Sequence, residues 1–183
     1  EAKKIMEMNS YGNLLTLYYN DETNPHPSFA GEETAASSTR NAIPYPFNDI
    51  SLITVDSRKN LYVVERLPVE RQENDSKAKL SLSQVVLRFD ENKKFVNYIG
   101  QQGPGGTPFS YVKNIYTTDR NELVVVCALP TGMTVYWYSA DGFLLYTIPV
   151  EKQNIPNPFA EETTDYFYSL DNIIPDYNNR VLY

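Results

Sequence analysis

"IGQQGPGGTPFSYVKNIYTTDRNELVVV", residues 99–126, leaves one apolar run, passes through a tract of glycine and proline, and enters a second apolar run. Glycine allows a backbone to turn sharply, and proline stiffens a path at little entropic cost. Strand-like runs on both sides of such a tract predict two neighbouring β-sheets. The tract itself is predicted to connect the last strand of one sheet to the first strand of the next.

Three hairpin-like segments each contain an apolar run, a short polar turn and a second run. They are "IMEMNSYGNLLTLYY" (5–19), "VVLRFDENKKFVNYIG" (85–100) and "VYWYSADGFLLYTIPV" (135–150). Gly12 and Gly142 suit hairpin turns because glycine tolerates positive φ. The middle copy has Lys93 in that place, so its turn is predicted to differ or to be strained.

A second type of segment has an apolar strand that ends in aspartate, a short turn and a strongly apolar strand. Its copies are "ISLITVDSRKNLYVV" (50–64), "VKNIYTTDRNELVVV" (112–126) and "LDNIIPDYNNRVLY" (170–183). The aspartates are Asp56, Asp119 and Asp176, spaced by 119 − 56 = 63 and 176 − 119 = 57 residues. Aspartate at such a place accepts hydrogen bonds from the amides of its own turn. The alternation of the two types predicts an internal repeat of four strands and an all-β fold.

Two connections are longer than the rest. Residues 20–48 are predicted to form a long loop between sheets, and residues 65–84 a long loop within one sheet. Long loops on a β scaffold often carry binding function, although both could equally be insertions without a role.

Composition narrows the function classes. The formal net charge is −7, and no basic run exceeds two residues, which argues against nucleic-acid binding. No apolar run approaches the roughly 20 residues that span a bilayer. The single Cys127, in "LVVVCAL", is predicted to be a buried small hydrophobe rather than a nucleophile. The single His26 is predicted to lie on an exposed loop rather than to bind a transition metal.

The order of these elements resembles the NHL-repeat class of β-propeller. A repeat of that class runs from a G-P-G-x-F-like joint to a strand ending in Asp, a short turn, an apolar strand, and a hairpin of the form hydrophobic-x-x-F-D-x-x-G-x-F. The best copy is "GPGGTPFSYVKNIYTTDRNELVVV" followed by "TVYWYSADGFLLYTI"; the second is "LITVDSRKNLYVV" followed by "VVLRFDENKKFVNYIG". The resemblance covers most of residues 50–150.

The resemblance implies a β-propeller of four-stranded antiparallel blades. Residues 1–183 would hold about three blade-equivalents, as a single domain or a fragment of one. Closed propellers have four to eight blades. The chain is therefore expected to be part of a longer protein, or to combine as two copies into one ring, and open blade edges would favour self-association.

The Tyr-rich and Asn-rich style also resembles exported bacterial lipoproteins of NHL type, such as those of spirochaetes. That likeness implies an extracytoplasmic location, periplasmic or at the cell surface. No signal is present in the given chain, and no lipid-attachment cysteine occurs near Glu1, so any lipid anchor would have to have been lost.

Calcium is the one cofactor that the propeller resemblance makes plausible, because related propellers hold Ca²⁺ in the channel through carboxylates. Otherwise no cofactor is predicted. Asp49 and Asp171 are the candidate ligands, since both lie near the starts of inner strands. Capping of local turns is the favoured alternative for these carboxylates. The other aspartates of suitable type are Asp56, Asp119, Asp165 and Asp176.

Tyr136, Trp137 and Tyr138 are the candidate binding residues, as part of a surface that stacks on carbohydrate or peptide. Strand alternation places Tyr136 and Tyr138 on one face and Trp137 on the other. Packing between adjacent sheets is the alternative, because it also requires large flat side chains on both faces.

The sequence favours a noncatalytic, extracytoplasmic scaffold that binds a protein or peptide partner. It contains no G-x-S-x-G motif and no histidine near Cys127 that could act as a base, so no catalytic residue is predicted. The alternative is a small-molecule or Ca²⁺-dependent hydrolase with its site at the mouth of the propeller channel.

Overall fold

A computed structural model describes residues 4–19, 41–155, 170–176 and 181–182. These residues form an all-β structure of sixteen strands and two short 3₁₀ turns, with no α-helix among them. The chain divides into two compact units, Glu1–Ser51 and Leu52–Tyr183. The prediction of an all-β fold is thus confirmed.

The first unit contains a three-stranded sheet. Strands β1 (Lys4–Met8) and β2 (Leu14–Tyr19) form the predicted antiparallel hairpin, and β3 (Asn41–Pro44) pairs parallel to β2. Strand β3 lies inside the predicted loop 20–48, of which residues 20–40 fall outside the described part of the chain.

The second unit is dominated by two antiparallel sheets. Sheet A has the order β10-β9-β8-β5-β4, and sheet B has the order β11-β12-β13-β14, so each follows the order of the chain. Hairpin β6–β7 stands apart from both. The strands are β4 (Asp49–Val55), β5 (Leu61–Arg66), β6 (Glu73–Asp75), β7 (Leu80–Leu82), β8 (Gln84–Phe89), β9 (Phe95–Gly100), β10 (Gly103–Pro104), β11 (Val112–Thr117), β12 (Leu123–Leu129), β13 (Gly132–Tyr138) and β14 (Leu144–Glu151).

The predicted loop 65–84 connects β5 to β8, which are neighbours in sheet A. It contains a 3₁₀ turn at Val69–Arg71 and the β6–β7 hairpin. A second 3₁₀ turn, Lys152–Asn154, follows β14. At the end of the chain, β15 (Ile174–Pro175) and β16 (Val181–Leu182) form a two-stranded antiparallel sheet within the predicted segment 170–183.

Sheets A and B share one hydrophobic core. Tyr62 and Val64 of sheet A meet Leu123, Val125 and Tyr138 of sheet B in that core. The opposite face of sheet B has its own core, formed by alternate residues of β12 and β13 with a residue from the segment before β15. Sheet B is therefore buried on both faces. The buried residues of this second core are Val124, Val126, Met133, Val135, Trp137 and Ile173.

One five-residue turn recurs in the two large sheets and in the β1–β2 hairpin. The backbone N–H of its first residue donates to the carbonyl of the fifth residue, and the carbonyl of the first residue accepts the N–H of the fourth. The side chain of the first residue accepts the N–H of the fifth. The fourth residue has positive φ. The turns begin at Asn9, Asp56, Asp90, Thr118 and Ser139, and their fourth residues are Gly12, Lys59, Lys93, Asn121 and Gly142.

One prediction about these turns needs correction, and another is met in one of its two alternatives. The residue equivalent to Asp56 is Thr118, not Asp119, so the repeat is 118 − 56 = 62 residues rather than 63. The turn containing Lys93, predicted to differ or to be strained, has the same hydrogen bonds as the other turns; the strain lies at Lys93 itself, because a side chain in the left-handed region costs free energy. Lys93 takes the same left-handed conformation, with φ 69°, as the glycines at its position. The turn that follows Asp176 lies outside the described residues.

The Gly/Pro tract is the predicted connection between sheets, since it runs from β9 of sheet A to β11 of sheet B. It folds back on itself at Gly100, where an added Cβ would lie 2.3 Å from the carbonyl oxygen of Gly106. Its end is held to sheet A by Gln84, whose backbone bonds Phe109 and whose side chain accepts the N–H of Val112 at 2.6 Å.

Two hydrogen-bonded contacts join the turn ends of the sheets. Both the N–H and the hydroxyl of Ser57, in the first turn of sheet A, donate to Oδ1 of Asn121 in the first turn of sheet B, at 2.9 and 2.6 Å. The hydroxyl of Thr117 donates to the carbonyl of Val55 at 3.0 Å. These bonds fix the register of sheet B against sheet A.

Candidate binding edge at strand β14

Strand β14 forms one edge of sheet B. It pairs antiparallel with β13, and no other described strand pairs with its outer side. An edge strand presents a row of unpaired N–H and C=O groups that can pair with another chain. The backbone of β14 is therefore a template for a further strand.

The start of β14 is apolar and open to solvent. Phe143, the last residue of the preceding turn, is 64% exposed, and Leu145 and Tyr146 are also exposed. Large exposed apolar side chains grouped in this way typically mark an interaction surface. They lie beside backbone whose outer side pairs with no strand in the described part of the chain.

A β-bulge explains why Leu145 faces water. Trp137 is opposite Tyr146, and Tyr138 is opposite Leu144, so Leu145 is an extra residue without a partner on β13. Bulges are common on sheet edges and near functional sites because they redirect side chains. Here the bulge places Leu145 beside Tyr146 on the exposed surface, two residues after the exposed Phe143.

Pro149 limits the part of β14 that can pair with an added strand. It lies opposite Thr134, and proline has no N–H to donate. Proline in a sheet is confined to edge strands for this reason. A strand added to β14 would therefore pair best with Leu144–Ile148, which coincides with the exposed apolar residues.

The three predicted binding aromatics lie beside this edge, on β13, and point into the protein. Trp137 and Tyr138 are fully buried, and Tyr136 is half-buried against the edge of the Phe109 ring at a centroid distance of 5.3 Å. The predicted division of faces is correct, because Tyr136 and Tyr138 contact the core shared with sheet A and Trp137 contacts the opposite core. In this conformation the buried rings of Trp137 and Tyr138 pack between sheets and cannot stack on a ligand.

The polar atoms of these aromatic rings are paired. The indole N–H of Trp137 donates to Oε2 of Glu122 at 3.0 Å, and the hydroxyl of Tyr138 donates to the carbonyl of Gly100 at 2.8 Å. Burial raises the pKa of Tyr136 to about 12, with a further contribution from Cys127, and burial also raises the pKa of Tyr138. The hydroxyls of Tyr136 and Tyr138 remain protonated donors at neutral pH, and they tie β13 to the Gly/Pro tract at Gln101 and Gly100.

Cys127 is buried in the core between sheets A and B, as predicted. Burial raises the pKa of its thiol far above the usual value. The thiolate is the nucleophilic form of cysteine, so burial disfavours the form of Cys127 that could attack a substrate.

A second surface feature is an open cleft of about 380 Å³ where β11 ends beside β15. Asp119 and Asp176 both line it, so the structure brings together two of the aspartates considered as calcium ligands. The hydroxyl of Tyr116 donates to Oδ1 of Asn172 at 3.1 Å and holds the segment before β15 against β11. The other lining residues are Thr117, Thr118, Ile174 and Pro175.

The remaining predicted acidic ligands are dispersed. Asp56 is buried and caps its own turn, since its carboxylate accepts the backbone and side-chain N–H groups of Asn60 at 2.8 and 2.7 Å. Asp49 is partly exposed at the start of β4, and Asp171 is exposed ahead of β15. Within the described ranges, no group of three or more His, Cys, Asp or Glu side chains is placed to hold a metal ion. Asp165 and His26 lie outside those ranges.

No protein-family model and no curated protein matches this chain. Among the helical segments in the described part of the chain, none has the length and apolar character needed to cross a membrane.

Sequence reasoning missed the β14 edge because "LLYTIPV" has the composition of a buried strand. The signal that could have found it is Pro149, since proline within an apolar run indicates an edge strand. The bulge at Leu145 left no comparable mark in the sequence.

Proposed function

We propose that this chain is a noncatalytic scaffold that binds a protein or peptide partner along strand β14. The observation that carries the proposal is the coincidence, at Phe143–Tyr146, of open edge backbone with exposed apolar side chains. In this role Phe143 and Tyr146 are the anchors, in place of the predicted Tyr136, Trp137 and Tyr138.

The proposed mechanism is strand addition. An extended segment of the partner pairs with the outer N–H and C=O groups of Leu144–Ile148, and these main-chain bonds supply affinity. Side chains of an added strand alternate between the two sheet faces. The partner segment should therefore place apolar residues beside Leu145 and Tyr146, and its pairing should stop before Pro149.

Rigid support of the edge favours binding. Tyr146 lies opposite Trp137, whose ring is buried and whose indole N–H is bonded to Glu122. A preorganised site loses less conformational entropy on binding than a mobile one. β14 therefore meets its partner with its backbone already extended.

We further propose that sheets A and B are consecutive blades of an NHL-type β-propeller. Two features support this proposal: both sheets run in chain order, and the Gly/Pro tract joins the last long strand of sheet A to the first strand of sheet B. Their face-to-face core is the packing that radial repetition requires. A propeller fold does not by itself imply a function, so the binding proposal depends on β14 alone.

The same proposal places the protein outside the cytoplasm, at the periplasm or cell surface. Its support is the likeness in sequence style to exported lipoproteins. Protease treatment of intact cells, with and without permeabilisation of the envelope, tests the location. Cleavage without permeabilisation of the inner membrane is expected, and protection until that membrane is breached would contradict the location.

Selection from a phage-displayed library of random peptides tests the binding proposal. Selected peptides should show alternating apolar residues, and hydrogen exchange of the complex should slow at the amides of Leu144–Ile148. Tyr146→Ala and Phe143→Ala should each weaken binding of a synthesised winning peptide by about tenfold or more, because anchor residues carry most of the affinity.

Val69→Ala is the matched control, since Val69 is an exposed apolar residue on the 3₁₀ turn after β5. It should leave the affinity unchanged. Failure to select any peptide, or slowed exchange confined to another surface, would overturn the proposal.

A further inference from the structure

Strands β9 and β14 occupy equivalent positions in sheets A and B. Each follows a five-residue turn of the recurring type, and each pairs with the strand before it in the same register. The bulge recurs as well, because Val96 of β9 lacks an opposite residue on β8 just as Leu145 of β14 lacks one on β13. Counted from the bulge, the equivalent pairs are Tyr98 and Thr147, Ile99 and Ile148, and Gly100 and Pro149.

In sheet A, the outer side of β9 pairs with a segment of the same chain. The Gly/Pro tract turns back after Gly100, and β10 runs antiparallel to β9 with Gly103 opposite Gly100. The residue after β10, Gly105, donates its N–H to the carbonyl of Tyr98 at 3.0 Å. Sheet A therefore shows how an extended segment pairs with this edge of the repeat.

In sheet B, the chain takes a different path directly after β14. Pro149 occupies the position at which Gly100 permits the turn, and a 3₁₀ turn at Lys152–Asn154 replaces β10. The N–H of Lys152 donates to the carbonyl of Thr131, in the turn between β12 and β13. In the described part of the chain, β14 has no outer neighbour that corresponds to β10.

We propose that the partner of β14 is an extended peptide segment that takes the place of β10 and runs antiparallel to β14. This inference rests on the strand addition proposed above and adds its direction and register. The N-terminal end of the segment lies beside Pro149, because β10 begins opposite the equivalent Gly100. The C-terminal end lies beside Phe143.

The equivalence also identifies a backbone N–H that the partner must supply. The carbonyl of Tyr98 faces β10, so the carbonyl of Thr147 faces the partner, and the residue opposite Thr147 donates to it. The preceding partner residue lies opposite Ile148, and in sheet A this place holds Pro104, opposite Ile99. Backbone groups alternate in direction along a strand, so the N–H at this place points away from β14. Proline there loses no hydrogen bond to β14.

The partner residue that follows the donor lies opposite Tyr146. Directly opposite residues on paired strands place their side chains on the same face of a sheet. Tyr146 is 50% exposed, and it shares its face with Trp137. An apolar partner residue would cover the exposed ring of Tyr146. The expected motif is therefore three successive residues, of which the first tolerates proline, the second supplies its N–H and the third is apolar.

N-methylation of a synthesised peptide, selected from the random library, tests this register. Each backbone amide is methylated in turn, and the affinity is measured by calorimetry. Methylation of the residue just before the apolar anchor should weaken binding by tenfold or more. Methylation of the residue before that one is the matched control and should leave the affinity unchanged. Equal losses at these two amides would overturn the inference.

A nitroxide label on either end of the same peptide tests its direction. A label at the N-terminus should broaden the amide signal of Val150 more than that of Phe143, and a label at the C-terminus should do the reverse. The opposite result, which a parallel strand would give, would overturn this inference and leave strand addition at β14 intact. Selection of no peptide, or binding at another surface, would overturn the proposed function and this inference together.

Discussion

Strands β12 and β14 belong to the same sheet and are similarly apolar, yet their surroundings are opposite. In β12, "LVVVCAL", the first five residues are buried, because β11 and β13 flank the strand and a core covers each face. In β14, "LLYTIPVE", five of the eight residues are exposed and none is buried. Position in the sheet, not composition, separates a strand that stabilises the fold from a strand that can bind a partner.

The largest expected contrast is between two residues that face each other across β13 and β14. Trp137→Ala should lower the free energy of unfolding by about 3–5 kcal/mol, because it empties a buried site and leaves Glu122 without its indole donor. Tyr146→Ala, directly opposite and exposed, should cost about 1 kcal/mol or less. Denaturant unfolding of both variants measures the difference, and equal losses would remove the distinction between the two strands.

Within the Gly/Pro tract, a substitution at an enclosed glycine should likewise lower stability more than a substitution at an open glycine. Gly100→Ala would bring a Cβ to 2.3 Å from one carbonyl oxygen and 2.4 Å from another, so it should cost about 2–3 kcal/mol. The Cβ added by Gly105→Ala would have no atom within 4 Å. This substitution should therefore cost only about 1 kcal/mol, because the residue has positive φ. Thermal or denaturant unfolding compares the two variants. A Gly100→Ala protein as stable as Gly105→Ala would mean that the tract does not fold back as described.

Buried tyrosines should make stability fall in alkaline solution. Burial raises the pKa of Tyr62 to about 12 from its usual 10.0. The unfolded chain therefore loses this proton before the folded chain does, and stability that is complete below pH 10 is lost between pH 10 and about 12. For Tyr62 the loss is about 2 kcal/mol. Tyr62→Phe should flatten the profile of unfolding free energy against pH, and an unchanged slope would contradict the burial of this hydroxyl.

The smallest expected contrast concerns equivalent turn residues, one inside a contact between sheets and one outside. Asn121→Gly keeps the positive φ but removes the acceptor for Ser57, so it should cost about 1 kcal/mol. Lys59→Gly, at the equivalent exposed position of sheet A, should stabilise the protein by about 0.5–1 kcal/mol because it relieves a left-handed side chain. Opposite signs in denaturant unfolding support the contact, and two equal changes would argue against it.

The sequence predicted the strands and turns well because local chemistry determines them. The two types of strand–turn–strand segment alternate along the chain around Asp56, Asp90 and Ser139. Each turn begins with a short polar residue whose side chain can accept hydrogen bonds from the amides of that turn. The sequence predicted Asp119 instead of Thr118 as the first residue of its turn, because the side chains of both residues can accept hydrogen bonds from backbone amides. Only the hydrogen-bond register of the folded turn distinguishes them.

The site was harder to predict because exposure depends on neighbouring sheets. The alternation of Tyr136, Trp137 and Tyr138 correctly assigned their faces but could not reveal that both faces are covered. Conversely, nothing local indicated that Leu145 would form a bulge. Whether an apolar strand is buried or exposed depends on the strands and sheets beside it, and long-range packing brings these together.

The central claim is that β12 is enclosed whereas β14 keeps an open outer edge, and native-state hydrogen exchange measures this difference directly. The amides of β12 should exchange only through global unfolding, while alternate amides of Leu144–Ile148 exchange rapidly in the free protein. Protection of every β14 amide to the level of β12, with no partner added, would contradict the open edge and the binding role assigned to it.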